Sequence, residues 1–379
     1  MKIILVSGAR PNYMKIAPLM WALREYKQKN GSQTQFILVH TGQHYDRQLF
    51  GVFFQELDLP EPDYNLGVGS GTHASQTAEV MSRFEPVLEK EEPNLVVVVG
   101  DVNSTLACAL TAVKRGVSVA HVEAGLRSFD RTMPEEINRI VTDAISDYLF
   151  ITEPSANENL LREGTLASKI FFVGNVMIDS LLRYRDKART LPVLDQLGLK
   201  LKEYAVMTLH RPSNVDRPEA LKGIADALHR LAKEIPIVFP CHPRTAERIR
   251  DFGLEVAFNP VLHSGSSRLM NGINTCEPMG YTEFLCLMDH AALVLTDSGG
   301  IQEETTILGV PCLTLRENTE RPITIQMGTN VLVGLNPDRI VAEGVKALHT
   351  PSGPRLQPPL WDGKAANRIV EVLINNVKN

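Results

Sequence analysis

Short apolar runs rich in Val and Ile alternate with longer segments of helical period along most of the chain. This alternation limits the fold more than any other feature of the sequence. In the first half the runs are Lys2–Ser7, Gln35–His40, Leu95–Gly100, Ser118–Glu123, Tyr148–Thr152 and Lys169–Gly174. In the second they are Tyr204–His210, Pro236–His242, Ala291–Thr296, Pro311–Leu315 and Asn330–Val333. Continuous apolar runs of about five residues are strands covered on both faces, and a helix after each is the crossover that a parallel sheet needs. Helix candidates between them include Asn12–Tyr26, Thr77–Glu91, Glu135–Ser146, Arg217–Glu234 and Gly300–Leu308.

Two such series, separated by the charged stretch Arg183–Lys202, predict an α/β chain of two Rossmann-like domains, residues 1–182 and 183–362. A last helix within residues 363–379 follows the Pro-rich segment Thr350–Pro359 and is expected to pack back on the first domain. A length of 379 residues with 44% hydrophobic content provides for two ordinary cores. The formal net charge of -5 argues against a nucleic-acid surface, which needs a basic face. The first apolar run stops at Gly8, too short for a leader, and no stretch approaches a membrane span. Cys108, Cys241, Cys276, Cys286 and Cys312 are odd in number and lack CxxC spacing. They read as small core residues of a reducing compartment, so the protein is expected in the cytoplasm.

Open α/β sheets bind ligands beyond the carboxyl ends of their strands, so polar residues just after strands carry the functional signal. The sharpest is LVLTDSGGIQEE, Leu293 to Glu304, where Ser298-Gly299-Gly300 turns a strand into a helix. Glycines admit a ligand close to the backbone, and a helix start favours phosphate. Ser298 is expected to cap that helix, and Glu304 to accept bonds from ribose hydroxyls. An ordinary strand–turn–helix junction would also contain a Ser cap.

A second signal, GARPNYMK, places Arg10 and Lys15 after the first strand, as cations for a diphosphate or a sugar ring. The acids Asp101, Glu123 and Glu135 follow strands or open a helix, which suits an acid–base set. Glu136 is equally well explained as a first-turn helix charge. His210 and Arg211 end a strand in the second half, and Arg321 follows another. For His242 a structural hydrogen bond is the better reading. Walker, GxSxG, HExxH and Asp-x-Asp motifs are absent. Gly67–Gly71 is only half a dinucleotide fingerprint and reads as a loop. No metal and no cofactor is expected.

Taken together, GARPNYMK, TGQH, HVEAGLRS, MPEEINR, LHR, LTDSGGIQEE and ERP, in this order, resemble the non-hydrolysing UDP-N-acetylglucosamine 2-epimerases nearly end to end. The resemblance implies a GT-B-like fold with the active site between two Rossmann-like domains, and a homodimer. It implies Arg10 and Lys15 as the leading cations, Asp101, Glu123 and Glu135 as the acids, and His210 as the strand-end histidine. It maps the UDP site to Met279, Phe284, Ser298-Gly299-Gly300, Glu304 and Arg321. Ala9 and Asn12 replace the family's common Thr and Glu, a variant also found in members acting on other UDP-aminosugars. Gln43, Gln76 and Arg211 match a regulatory set of some bacterial members, whereas Asp46 and Ser75 depart from it. The implied reaction eliminates UDP to give 2-acetamidoglucal and adds it back with C2 inverted. A hydrolysing epimerase, or a metal-independent glycosyltransferase of the same fold, would share much of this pattern.

Overall fold

The structure, a computed structural model, describes residues 1–8, 10–31, 34–42, 56–262, 269–350 and 356–377, with the backbone alone at 10, 11 and 260–262. The chain forms two compact units, Met1–Leu182 with Pro359–Asn379, and Arg183–Pro358. The boundary at Leu182 falls inside the helix Val176–Arg189.

In the first unit the strands are β1 (Lys2–Ser7), β2 (Gln35–His40), β3 (Tyr64–Asn65), β4 (Leu95–Val99), β5 (Ser118–Ala124), β6 (Tyr148–Ile151) and β7 (Ile170–Phe172). They form one parallel sheet in the order β3-β2-β1-β4-β5-β6-β7. All five residues of β4 are buried, as a strand covered on both faces requires. Against it pack Val80, Phe84 and Leu88 of the helix His73–Glu91 and Ala107, Cys108 and Ala112 of the helix Asn103–Lys114. Each large apolar side chain fully buried this way contributes roughly 1.5–3 kcal/mol.

The second unit holds β8 (Ala205–Thr208), β9 (Ile237–Pro240), β10 (Phe258–Leu262), β11 (Ile273–Cys276), β12 (Leu293–Thr296), β13 (Cys312–Thr314) and β14 (Asn330–Leu332). Their order is β10-β11-β9-β8-β12-β13-β14, again parallel. Each unit is therefore Rossmann-like, with a chain reversal beside a central strand: between β1 and β4 in the first, and between β8 and β12 in the second. Such a switch point opens a crevice at the strand carboxyl ends.

The sequence pattern omits β3, β10 and β11. Asn274 interrupts β11 as a polar residue, yet it is fully buried and its amide donates to Met270 O (2.8 Å) and Gly272 O (3.2 Å). Several other strands stop short of the apolar run: β8 ends at Thr208, because the backbone N–H groups of His210 and Arg211 turn to Asp297 instead.

The last helix, Ala365–Asn376, belongs to the first unit and packs on the helix Arg10–Asn30. Its start is held by Asp179, which accepts the N–H groups of Ala365 (3.1 Å) and Ala366 (2.7 Å). Trp361, fully buried, donates to Thr152 O at 2.9 Å. All five cysteines are free and buried, and burial pushes the thiols of Cys241, Cys276 and Cys312 up to about 12. Among the described residues no helix is long and apolar enough to cross a membrane, and no cluster could hold a metal ion.

Candidate active site

The first unit gathers its candidate residues where β1, β4 and β5 end. Lys15, on the helix after β1, forms an ion pair with Glu123, and both side chains are more than nine-tenths buried. Glu123 reaches this position through unusual backbone. Its φ is +75°, and the pairing of β5 with β6 shifts register between Val122 and Ala124. A bulge of this kind re-aims a side chain that a regular strand would turn away. Gly100, which follows β4 with φ +66°, leaves room for the pair: a Cβ there would lie 2.9 Å from Lys15 Nζ. Asn12 fastens the two strand ends, accepting the Gly8 N–H (3.2 Å) and donating to Val99 O (3.2 Å).

Asp101 lies next to Gly100, a quarter exposed, with Arg139 Nη1 2.5 Å from its Oδ2. The same guanidinium binds Glu136 through Nε (3.0 Å) and Nη2 (2.6 Å). Glu136 also accepts the N–H groups of Ser128 (3.0 Å) and Phe129 (2.9 Å). Burial pushes the Glu136 carboxyl up, but Ser128, Arg139 and Phe129 outweigh it and hold it below its ordinary value. Glu136 is thus a structural brace, while its neighbour Glu135 is half-buried in the helix's first turn. Arg10 opens the helix Arg10–Asn30, and its side chain lies outside the described atoms.

The second unit builds a different set at the ends of β8 and β12. Its centre is Asp297, fully buried, which accepts from Arg211 N (2.9 Å), His210 N (3.1 Å), Asn214 Nδ2 (3.1 Å) and His210 Nδ1 (2.7 Å). Burial opposes the charge, but His210 and these N–H donors hold the carboxyl below its ordinary value. With Nδ1 engaged, the exposed His210 ring offers Nε2 to a ligand.

Ser298 precedes the helix Gly299–Leu308, but its side chain makes no cap bond, contrary to expectation; its N–H instead donates to Thr296 Oγ1 at 3.0 Å. Helix-start N–H groups without a side-chain cap are anion donors. Gly299 is required by crowding: a Cβ there would lie 2.9 Å from Glu320 Oε1 and closer still to Arg321. Arg321 is buried between Glu303 (Nε to Oε1, 2.7 Å) and Glu320. Glu304 accepts from Tyr281 Oη at 2.9 Å, and burial pushes its carboxyl up to about 7. Met279 lies in the loop between β11 and the helix Tyr281–His290, and Phe284 is half-buried in that helix's first turn.

Of the proposed regulatory residues, Gln76 sits in the first unit, donating to Gly69 O (3.1 Å) and accepting from Asn103 Nδ2 (2.8 Å). Arg211 sits in the second, donating to Asp297 O at 2.9 Å. Gln43 and Asp46 lie outside the described residues. His242 accepts the Arg244 N–H at 3.3 Å as a helix cap.

Sequence reasoning passed over Arg139, Asp297, Glu320 and Tyr281. The i, i+3 spacing of Glu136 and Arg139 carried a signal for Arg139. Nothing in the spacing marks Asp297 as the acceptor of two backbone N–H groups.

A family model described as UDP-N-acetylglucosamine 2-epimerase matches residues 25–374. The chain is 43% identical over 378 residues to the UDP-N-acetylglucosamine 2-epimerase of Methanocaldococcus jannaschii, covering 98% of this chain and 99% of that one. It is 41% identical to the UDP-2,3-diacetamido-2,3-dideoxy-D-glucuronate 2-epimerase of Pseudomonas aeruginosa, covering 98% and 99%. The fold matches the crystal structure of the Methanocaldococcus jannaschii UDP-GlcNAc 2-epimerase in complex with UDP-GlcNAc and UDP, with a TM-score of 0.89 over 99% of this chain and 100% of that one. The GT-B-like class, two Rossmann-like domains with parallel sheets, is the class of these relatives. On this near full-length agreement in sequence and fold, the chain belongs to the UDP-N-acetylglucosamine 2-epimerase family.

Proposed function

We propose that the protein interconverts UDP-GlcNAc and UDP-ManNAc without a metal or cofactor. The observation that carries the reading is the buried Lys15–Glu123 pair beside Gly100-Asp101, in a chain whose relatives are sugar 2-epimerases. The C2–H of an aminosugar is too weakly acidic for direct removal by a carboxylate. Breaking the anomeric C1–O bond as the proton leaves gives UDP and 2-acetamidoglucal with a C1–C2 double bond. Re-addition of UDP to C1 with a proton delivered to the other face of C2 completes the inversion.

Asp101, Glu123 and Glu135 divide proton removal and return, a task that general acid–base groups accelerate by roughly 10²–10⁴-fold. Lys15 and Arg10 hold the sugar. On the departing diphosphate, His210 Nε2, Arg321 and the Ser298-Gly299-Gly300 helix start stabilise developing charge. Met279 and Phe284 serve the base, and Glu304 the ribose. Gln43, Gln76 and Arg211 are retained as a candidate regulatory set. The family resemblance further supports a homodimer, and five buried free thiols accord with a reducing cytoplasm.

Proton NMR of UDP-GlcNAc with the pure protein in D2O tests the reading. Growth of a UDP-ManNAc signal with deuterium at C2 of both epimers is the expected result. Free N-acetylmannosamine with UDP would replace it with hydrolysis. An intact sugar with an unexchanged C2–H would refute it for this substrate, and the diacetamido uronate of the Pseudomonas aeruginosa relative is then next. Light scattering of the purified protein tests the dimer.

A further inference from the structure

Directly behind Glu123 lies a buried carboxylate that the proposed chemistry leaves unused. Asp143, on the helix Pro134–Ile145, is 2% exposed. Its Oδ1 is 2.6 Å from His121 Nδ1, and its Oδ2 accepts the Gly125 N–H at 3.0 Å and Arg127 Nη1 at 2.7 Å. His121 and Gly125 stand two residues before and two after Glu123, so one carboxylate fastens both sides of the bulge. On its other edge, His121 Nε2 lies 2.8 Å from the carbonyl of Gly100, the residue before Asp101. Arg127 is anchored in turn by Glu163 at 2.8 and 2.6 Å, and Asn159 donates to Gly125 O at 2.9 Å.

The arrangement answers a need created at Glu123. A non-glycine residue at φ +75° is strained and persists only where its surroundings over-determine it. The network also fixes the placement of the histidine. Both of its ring nitrogens face oxygens that can only accept: a backbone carbonyl, and a carboxylate kept ionised against burial by His121 and Arg127. The ring is therefore held on both edges, between Asp143 and the Gly100 carbonyl.

We infer that Asp143 is a positioning residue for the reaction: through Gly125 and His121 it sets the backbone from which Glu123 and Asp101 address the sugar. The inference rests on those two acids serving C2, as proposed above. Asp143→Asn keeps the volume and removes the charge. Displacing a reacting group by about 1 Å costs on the order of 10²-fold, so kcat for the C2 exchange should fall about 10²-fold. KM and UDP affinity should stay within about threefold of wild type, and Asp143→Glu should recover part of kcat. A nitrogen-correlated proton spectrum of the intact protein should show the His121 Nδ1 signal shifted in Asp143→Asn, because the carboxylate it faces becomes an amide.

A kcat within threefold of wild type in Asp143→Asn would overturn the inference. So would a loss of kcat in which UDP affinity and melting temperature also fall and KM rises, which would mark Asp143 as a fold residue only. Wild type is measured first: if it exchanges no C2 hydrogen, the epimerase reading fails, and the His121 spectrum still reports separately whether Asp143 holds that ring.

Discussion

The guanidinium of Arg139 meets the carboxylate of Asp101 at 2.5 Å while gripping Glu136 from the same side chain, so a proposed proton-transfer group and a structural brace share one buried cation. This relationship ties the geometry of Asp101 to that of Glu136.

Arg139→Met should cost both activity and stability. It removes the buried cation from Glu136, whose side chain is 1% exposed, and one ion pair from Asp101. Removing one member of a buried pair destabilises by about 3–5 kcal/mol. A melting temperature unchanged within error would refute the bracing role. Arg139→Lys should recover part of the stability, and less of the geometry, because an ammonium cannot bind two carboxylates with a fork.

Gly100→Ala should slow the reaction more than it loosens the fold. A methyl group would crowd Lys15 Nζ at 2.9 Å and would sit on backbone at φ +66°. The expected result is about a tenfold or greater fall in kcat/KM with a stability loss of roughly 1–2 kcal/mol from the left-handed backbone. Chemical denaturation alongside steady-state rates separates the two effects, and an unaltered rate would show that Lys15 has room to spare.

Both sheets were legible because Val and Ile runs, buried on two faces, have no polar alternation to confuse them. β11 was not, since Asn274 reads as a loop residue until its amide is seen donating to carbonyls of the turn that precedes the strand. The acids were legible as strand-end and helix-start residues, but their roles were not. Glu135 and Glu136 are neighbours in the same first turn, and it is burial and the two N–H groups of Ser128 and Phe129 that make Glu136 a brace. The roles of Asp143 and Asp297 were invisible for a related reason. Asp143 works by accepting the Gly125 N–H and the His121 ring, and Asp297 by accepting the His210 and Arg211 N–H groups and the His210 ring, partners distant in sequence that no local spacing announces.

Asp179→Asn should flatten the acid side of the stability curve. Burial pushes the Asp179 carboxyl up to about 6, and the N–H groups of Ala366 and Ala365 offset this only in part. For an acid raised in the fold, the stabilising contribution is complete below its unfolded value near 4 and is lost as pH rises through 6. The difference of about two units corresponds to roughly 3 kcal/mol. Urea denaturation between pH 4 and 7 should show this slope in wild type and not in the Asn variant; equal slopes would place the titration elsewhere.

Glu304 should make nucleotide-sugar binding depend on pH near neutrality. Burial lifts its carboxyl to about 7, the Tyr281 hydroxyl lowers it in part, and Glu303 adds to the rise. In the unliganded protein this favours the protonated form, so the group's contribution to stability is present below about pH 4 and is lost as pH rises through 7. A ribose diol needs the ionised carboxylate as acceptor of two hydroxyls, so affinity should run the opposite way. Between pH 6 and 8 the ionised fraction of such a group changes about tenfold, and UDP-GlcNAc affinity should rise by about that factor. The substrate's diphosphate is fully esterified and does not titrate in this window. Tyr281→Phe removes the hydroxyl that favours the ionised form, and should move the midpoint to higher pH. Glu304→Gln should bind weakly at every pH with no midpoint. Calorimetry in buffers of differing ionisation enthalpy would count the proton released on binding, and its absence at pH 6 would disprove the role given to Glu304.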